Sequence, residues 1–190
     1  AMVLPLLNLA VVPAFTVGVP LLIVRYYAFS DTALAVTQSA MSAGGLLGGV
    51  LAGAFAKRLF LRRGTAALWC ITAVCALLGL AVLPCVPAAA GYIAVTSLAF
   101  CMMAAAALFQ ILLFTAIQAH APTGQTGRFM SLITVCACLT QPAGQAAFGL
   151  LYGHFAALPS AVLFTAAAAS IFISLAASHI FKRAASFSKS

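Results

Sequence analysis

Acidic side chains are almost missing from this sequence: of 190 residues only one is Asp or Glu, Asp31. Catalysis by paired carboxylates needs a second acid and is therefore excluded. Charged residues of both signs make up only 5% of the chain, too few to clothe a water-soluble globule. The six cysteines, Cys70, Cys75, Cys85, Cys101, Cys136 and Cys138, form neither a CxxC pair nor a zinc spacing. All but Cys85 fall within apolar runs, where they read as small packing residues. His120, His154 and His179 sit near the ends of such runs, and the sequence holds no HExxH or GxSxG string. An enzyme has little to stand on here, and no metal or cofactor is expected. No secretory signal is visible, because the first run is too long and lacks a basic leader. Its abrupt start, with no cytoplasmic lead-in, leads us to expect that the chain is cut from something larger.

What the chain does have is apolar sequence, 65% of its residues. A membrane helix needs about 20 predominantly apolar residues to cross a hydrocarbon layer about 30 Å thick. The chain divides into six such runs: Met2 to Tyr26, Thr32 to Ala56, Thr65 to Leu83, Ala88 to Ala119, Phe129 to Gly153 and Pro159 to Phe181. Ser30 and Asp31 can cap the second run, Pro84 and Pro87 bracket a turn, and Pro122 to Gly127 form the one conspicuously polar connection. The runs are rich in Ala and Leu without period-two alternation, which argues against strands. The net charge of +8 would suggest nucleic acid in a soluble protein. Here the basic residues punctuate apolar runs and lack an interleaved aromatic surface, so the partner is the bilayer and not nucleic acid. Basic loops stay cytoplasmic. The second connection carries Lys57, Arg58, Arg62 and Arg63, the fourth Arg128, and the tail Lys182, Arg183 and Lys189, whereas Arg25 and Asp31 cancel in the first. The expectation is a multi-pass inner-membrane protein with both termini in the cytoplasm.

Glycines and uncharged polar residues carry the remaining pattern. Gly45, Gly49 and Gly53 recur every four residues in the second run, and Gly149 and Gly153 repeat the device in the fifth, predicting faces on which another helix backbone can lie close. Thr134, Cys138, Gln141, Gln145, Phe148 and Tyr152 form a stripe in the fifth run that should look inward, since an amide facing lipid has no partner. Pro142 should kink that helix. Gln38 followed by glycines in the second run, and Gln141 followed by glycines in the fifth, hint at three helices repeated with inverted topology.

The segment IQAHAPTGQTGRFMSL, Ile117 to Leu132, resembles the connection between the tenth and eleventh helices of the major facilitator superfamily, with Gln118, Pro122, Gly127, Arg128, Phe129, Met130 and Ser131 at the matching places. QPAGQAAFGLLYG is similar to that family's eleventh helix, and SAGGLLGGVLAGAF to its eighth as found in macrolide-efflux and related multidrug exporters. In the family's cytoplasmic loop motif, Gly53 and Arg58 fit, Lys57 stands in place of the Asp and Phe60 in place of the second Gly, and Arg62 and Arg63 follow. The resemblance covers the chain as a C-terminal six-helix half, an all-α membrane domain of inverted 3+3 helix repeats over residues 1–190. It implies a matching N-terminal six-helix half as partner, with the first, second, fourth and fifth helices lining the path.

On that basis Phe15, Gln38, Met41, Met103, Gln110, Gln141 and Gln145 are the candidate path residues, a mixture of apolar contact and amide hydrogen bonds suited to a small hydrophobic solute. No carboxylate inside a run can take up a proton, so a proton-coupled antiporter would keep that group in the other half. The function expected is multidrug-type efflux by alternating access. A six-helix scaffold without a path, and a half-size transporter working as a homodimer, are the alternatives.

Overall fold

A computed structural model describes residues 3–27, 30–55, 62–83, 85–120, 125–155 and 159–187. Among them the secondary structure is helical, with no strand. The elements are α1 (Val3–Ala10), α2 (Val12–Leu21) continued by a π-helical turn (Leu22–Tyr26), α3 (Asp31–Phe55), α4 (Arg62–Ala81), α5 (Ala88–His120), α6 (Thr126–His154) and α7 (Pro159–Phe187). Each of the six apolar runs thus appears as helix, but the first is not continuous. Pro13 at the second position of α2 has no N–H to give the preceding turn, and the helix breaks at Val11. Pro20 disturbs the next turn, after which the chain widens so that the N–H of Tyr27 reaches the carbonyl of Leu22, five residues back.

The other helices have ordinary starts. The carbonyl of Ser30 accepts from the N–H groups of Ala33 and Leu34 at the head of α3, Pro87 accepts from Gly91 before α5, and Pro159 opens α7 at the position where a missing N–H costs nothing. Two helices begin earlier than the sequence suggested: Arg62 and Arg63 belong to the first turn of α4, and Gly127 and Arg128 to that of α6, so these residues are not in loops. Lys57, Arg58 and Phe60 lie outside the described residues. α7 runs on to Phe187, which leaves His179 inside it and not at its end.

Among the described residues four segments are long and apolar enough to cross a membrane: Pro5–Arg25, Asp31–Ala54, Ala88–Ala119 and Pro159–Ser178. The apolar stretch of α4, Ala66–Ala81, is shorter. α6 has 29 residues, but Gln141, Pro142 and Gln145 dilute its apolar content. The chain is an all-helical protein with the character of a membrane protein.

Packing follows a simple plan. α3 lies along α5, α1 and α2 lie along α6, and α4 lies along α7 while also touching α5. The first two pairs are parallel. Gly44 and Gly48 of α3 meet Phe100 and Ala104 of α5 in the same order, and Gly144 and Tyr152 of α6 meet Leu9 and Ala14 in the same order. The α4–α7 pair is antiparallel, because Thr72 meets Ser170 and Ser174 while Gly79, further along α4, meets Phe164, earlier in α7.

Burial repeats along the chain. Residues 41–54 of α3 and 141–154 of α6 share one pattern at every position after the first: buried at 44/144, 48/148 and 52/152, half-buried at 45/145, 49/149 and 51/151, exposed elsewhere. Residues 67–82, α4 and the residue after it, correspond to 162–177 of α7 except at 74/169, 76/171 and 81/176, with 68/163, 71/166, 75/170, 78/173 and 82/177 buried and 69/164, 73/168, 77/172 and 80/175 exposed. The core is built mainly from the inner rows of α1, α2, α4, α5 and α7, with Phe15, Leu22, Ile23, Leu68, Ile71, Leu78 and Leu163 among its most enclosed members.

Candidate functional site

Glycine decides how close the parallel pairs come. A Cβ on Gly44 would fall on the Phe100 carbonyl oxygen and one on Gly48 on that of Ala104, so α3 and α5 touch backbone to backbone. Gly144 plays this part in α6, against the Leu9 carbonyl and the Pro13 ring. Within this chain the glycines of the expected faces are not the ones in backbone contact. Gly45, Gly53, Gly149 and Gly153 face open space, and Gly49 has only the tip of Ile111 at 3.9 Å. The period of four was read one residue out of register: buried and exposed rows sit side by side on a helix, and α3 has glycine on both.

Side-chain hydroxyls finish the pairing. Thr37, fully buried, donates to the Ala33 carbonyl (3.0 Å) and meets Thr96 across the α3–α5 contact at 3.0 Å, while Tyr92 donates to Ala33 at 3.2 Å. Between α4 and α7, Thr72 donates to the Leu68 carbonyl (3.0 Å) and lies 2.8 Å from Ser170 and 2.9 Å from Ser174, all three buried. Tyr27 donates to the Ala81 carbonyl at 3.3 Å, tying the end of the π-helical turn to α4. Among the described residues no buried side-chain N or O lacks a partner. Sequence reading missed these clasps. The available signals were a threonine inside an otherwise apolar α4 and two serines four residues apart in α7.

Amide side chains at mid-helix meet a hydroxyl where α2 packs on α6. Thr16 lies midway along the first run and Gln141 midway along α6. Gln145, one turn further, holds its Nε2 3.5 Å from Thr16 Oγ1, at the outer limit of a hydrogen bond. Tyr152 passes over Gly18 and donates to the Ala14 carbonyl at 3.1 Å. Gln141 and Gln145 are both half-buried. The expected inward stripe of α6 therefore holds only along part of its length. Phe148 and Tyr152 are buried, but Thr134 and Cys138 are exposed, and the buried seam at that end is Ile133 and Ala137. The helix runs through Pro142 without interruption.

The other candidate path residues are not gathered with these two glutamines. Phe15, 2% exposed, and Met41, 5% exposed, are core residues packed by their neighbours rather than open to a path within this chain. Met103 is half-buried against the same core. Gln38 and Gln110 are exposed, Gln110 at the rim of a 40 Å³ cavity with Leu7, Val11, Ile71, Met102 and Phe109. Among the described residues no group of three His, Cys, Asp or Glu side chains is placed to hold a metal. Cys75 is buried, Cys136 half-buried, and Cys70, Cys85, Cys101 and Cys138 are exposed; all are free thiols. No family model, curated protein or solved structure matches the chain.

Proposed function

We propose that this chain is one six-helix half of a secondary active transporter of the major facilitator type, exporting a small hydrophobic solute by alternating access. The observation that carries the reading is an exchange symmetry in the packing. If α1 and α2 are exchanged with α5, α3 with α6, and α4 with α7, the parallel pair α3–α5 becomes the parallel pair α6–α1/α2, and the antiparallel pair α4–α7 becomes itself. One glycine contact exchanges as well: Gly44 on the Phe100 carbonyl becomes Gly144 on the Leu9 carbonyl, while Gly48, which meets Ala104, has Phe148 as its counterpart. Three helices repeated with inverted topology produce this arrangement, which is common in secondary transporters. Six successive crossings would give the same directions. Helices of like parity run the same way, so the first and fifth spans are parallel, as are the second and fourth, whereas the third and sixth oppose.

In this reading α4 and α6 cross as well, the polar residues of α6 being sheltered against α2 and against a partner half. Both termini are cytoplasmic, and the coupling carboxylate belongs to the other half. The solute meets Gln141, Gln145 and Thr16 at mid-membrane, where amides and a hydroxyl orient it and apolar surface supplies most of the contact. A scaffold could share the same frame; glutamines at mid-helix beside a hydroxyl favour a transport path over it. Cysteine substituted at Gln141 or Gln145 in a cysteine-free background should react with a membrane-impermeant maleimide, and a seam that stays dry would favour the scaffold. Reconstituted alone in liposomes, the chain should not move solute. Saturable dye movement lost in Gln141→Leu would instead establish the half-size homodimer.

A further inference from the structure

Between α1 and α6 lies a groove of about 600 Å³ walled by Pro5, Leu6, Leu9, Leu132, Cys136 and Thr140. Its one hydroxyl is already used, since Thr140 Oγ1 turns back to the carbonyls of Cys136 (2.9 Å) and Ala137 (3.1 Å). A solute that needs hydrogen bonds would lose its water there and gain nothing in return, whereas a hydrocarbon chain loses nothing. The other parallel pair is closed backbone to backbone at Gly44 and Gly48. There Thr37 meets Thr96, but Ala137 and Pro5, the corresponding residues of this pair, carry no hydroxyl to draw the helices together.

Charge selects among hydrocarbon-bearing molecules. Arg128 is exposed, and it heads the row of α6 that lines the groove, 128–132–136–140, spaced four residues apart. Asp31, the only acid in the sequence, opens α3 and in the six-crossing orientation lies at the other membrane surface, so the counter-charge for Arg128 comes from outside the chain. From Arg128 to Thr140 the helix rises about 18 Å, a little more than the roughly 15 Å hydrocarbon depth of one leaflet. The row thus begins at headgroup level and ends near the midplane. We infer that the groove holds an acyl chain of an anionic phospholipid of the cytoplasmic leaflet, with its phosphate against Arg128. This rests on the six-crossing orientation of the proposed function but on no transport step, so its failure and that of the efflux reading are seen in different assays.

The test is native mass spectrometry of the purified full chain in mild detergent with dioleoyl phosphatidylglycerol or dioleoyl phosphatidylcholine. The anionic lipid should bind about fivefold more tightly, the worth of one basic residue near an anionic headgroup. Arg128→Gln should bring the ratio close to one while the zwitterionic lipid still binds. Cys136→Phe should weaken both lipids by filling the groove. Leu6→Phe, at a residue 47% exposed that tolerates bulk, does the same if the first variant misfolds. Arg25→Gln, at the opposite end of the first run, should leave the ratio unchanged. Equal binding of the two lipids, an undiminished preference in Arg128→Gln, binding of acyl-free glycerophosphoglycerol as tight as that of the whole lipid, or a chain dimer dissociated by Cys136→Phe would each overturn the inference; the last would make the occupant a second copy.

Discussion

Two glycines of α6 only five residues apart should respond to the same substitution with opposite signs. At Gly144 a new methyl would fall on the Leu9 carbonyl oxygen and the Pro13 ring at once, and neither backbone nor a proline can swing aside, so Gly144→Ala must push α1 and α2 away from α6. Overpacking of this kind costs about 1–3 kcal/mol. The higher helix propensity of alanine returns about 1 kcal/mol, which leaves a net loss of up to about 2 kcal/mol. At Gly149 nothing lies within 4 Å of the new methyl, and only the propensity gain of about 0.5–1 kcal/mol remains. The propensity gain is common to both, so the two variants should differ by the overpacking cost, roughly 1–3 kcal/mol, equivalent to about 2–12 °C in midpoint for a chain of this length. Thermal unfolding in one detergent, followed by the helical signal at 222 nm, measures both. Equal midpoints, or a Gly144→Ala variant at least as stable as the parent, would refute the claim that the α1/α2–α6 contact is set by backbone approach.

Further outcomes follow from the clasps and the orientation. Thr72→Val leaves the Ser170 and Ser174 hydroxyls buried without their shared partner and should cost about 1–3 kcal/mol, more than Ser39→Ala, whose exposed hydroxyl only returns to the Ala35 carbonyl; denaturant titration of the two variants checks this. Tyr152→Phe keeps the ring over Gly18 but loses the bond to Ala14, for a loss of about 0.5–1.5 kcal/mol in the same titration. Reporter fusions after Arg63 and after the last residue should both report the cytoplasm, and a periplasmic signal at Arg63 would reverse the orientation.

The sequence told where helices are and erred on what they face. Apolar length locates α3, α5 and α7 to within a few residues of their starts, because in an apolar solvent a backbone without helical bonds has no partner. The break at Val11 was written in Pro13 but went unread, since a run of apolar residues masks the missing donor. Facing was harder for a chemical reason. In soluble proteins polar residues mark the outside; here Leu46, Leu139 and Phe172 are exposed while Thr37, Thr72 and Ser170 are buried, so polarity and burial no longer run in opposite directions. Gly44 and Gly45 are indistinguishable by composition, and only the Phe100 carbonyl tells them apart. Phe15 and Met41 were chosen for size and depth, properties that core residues share. Gln141 and Gln145 come nearest to the expected role because an amide at mid-helix has few places to go, and Thr16 is the partner that the sequence alone did not supply.

The two parallel contacts have parted ways, and the prolines show how. The α3–α5 contact contains none, so its helical ladder is complete and its glycines and Thr37–Thr96 close it tightly. The α1/α2–α6 contact contains Pro13, Pro20 and Pro142, which offer no N–H to the carbonyls of Leu9, Thr16 and Cys138 four residues before them. In hydrocarbon each such acceptor must be met by protein, by water or by a solute. Gly144 lies against the Leu9 carbonyl. The other two lie at the levels of Gln145 and Gln141, the side chains with amide hydrogens to give. Helix carbonyls that lack a ladder donor are thus concentrated on one arm of the packing, while the other arm is clamped. In a transporter half the clamped arm keeps the frame, and the arm with acceptors to satisfy is the one that a passing solute and its water can engage.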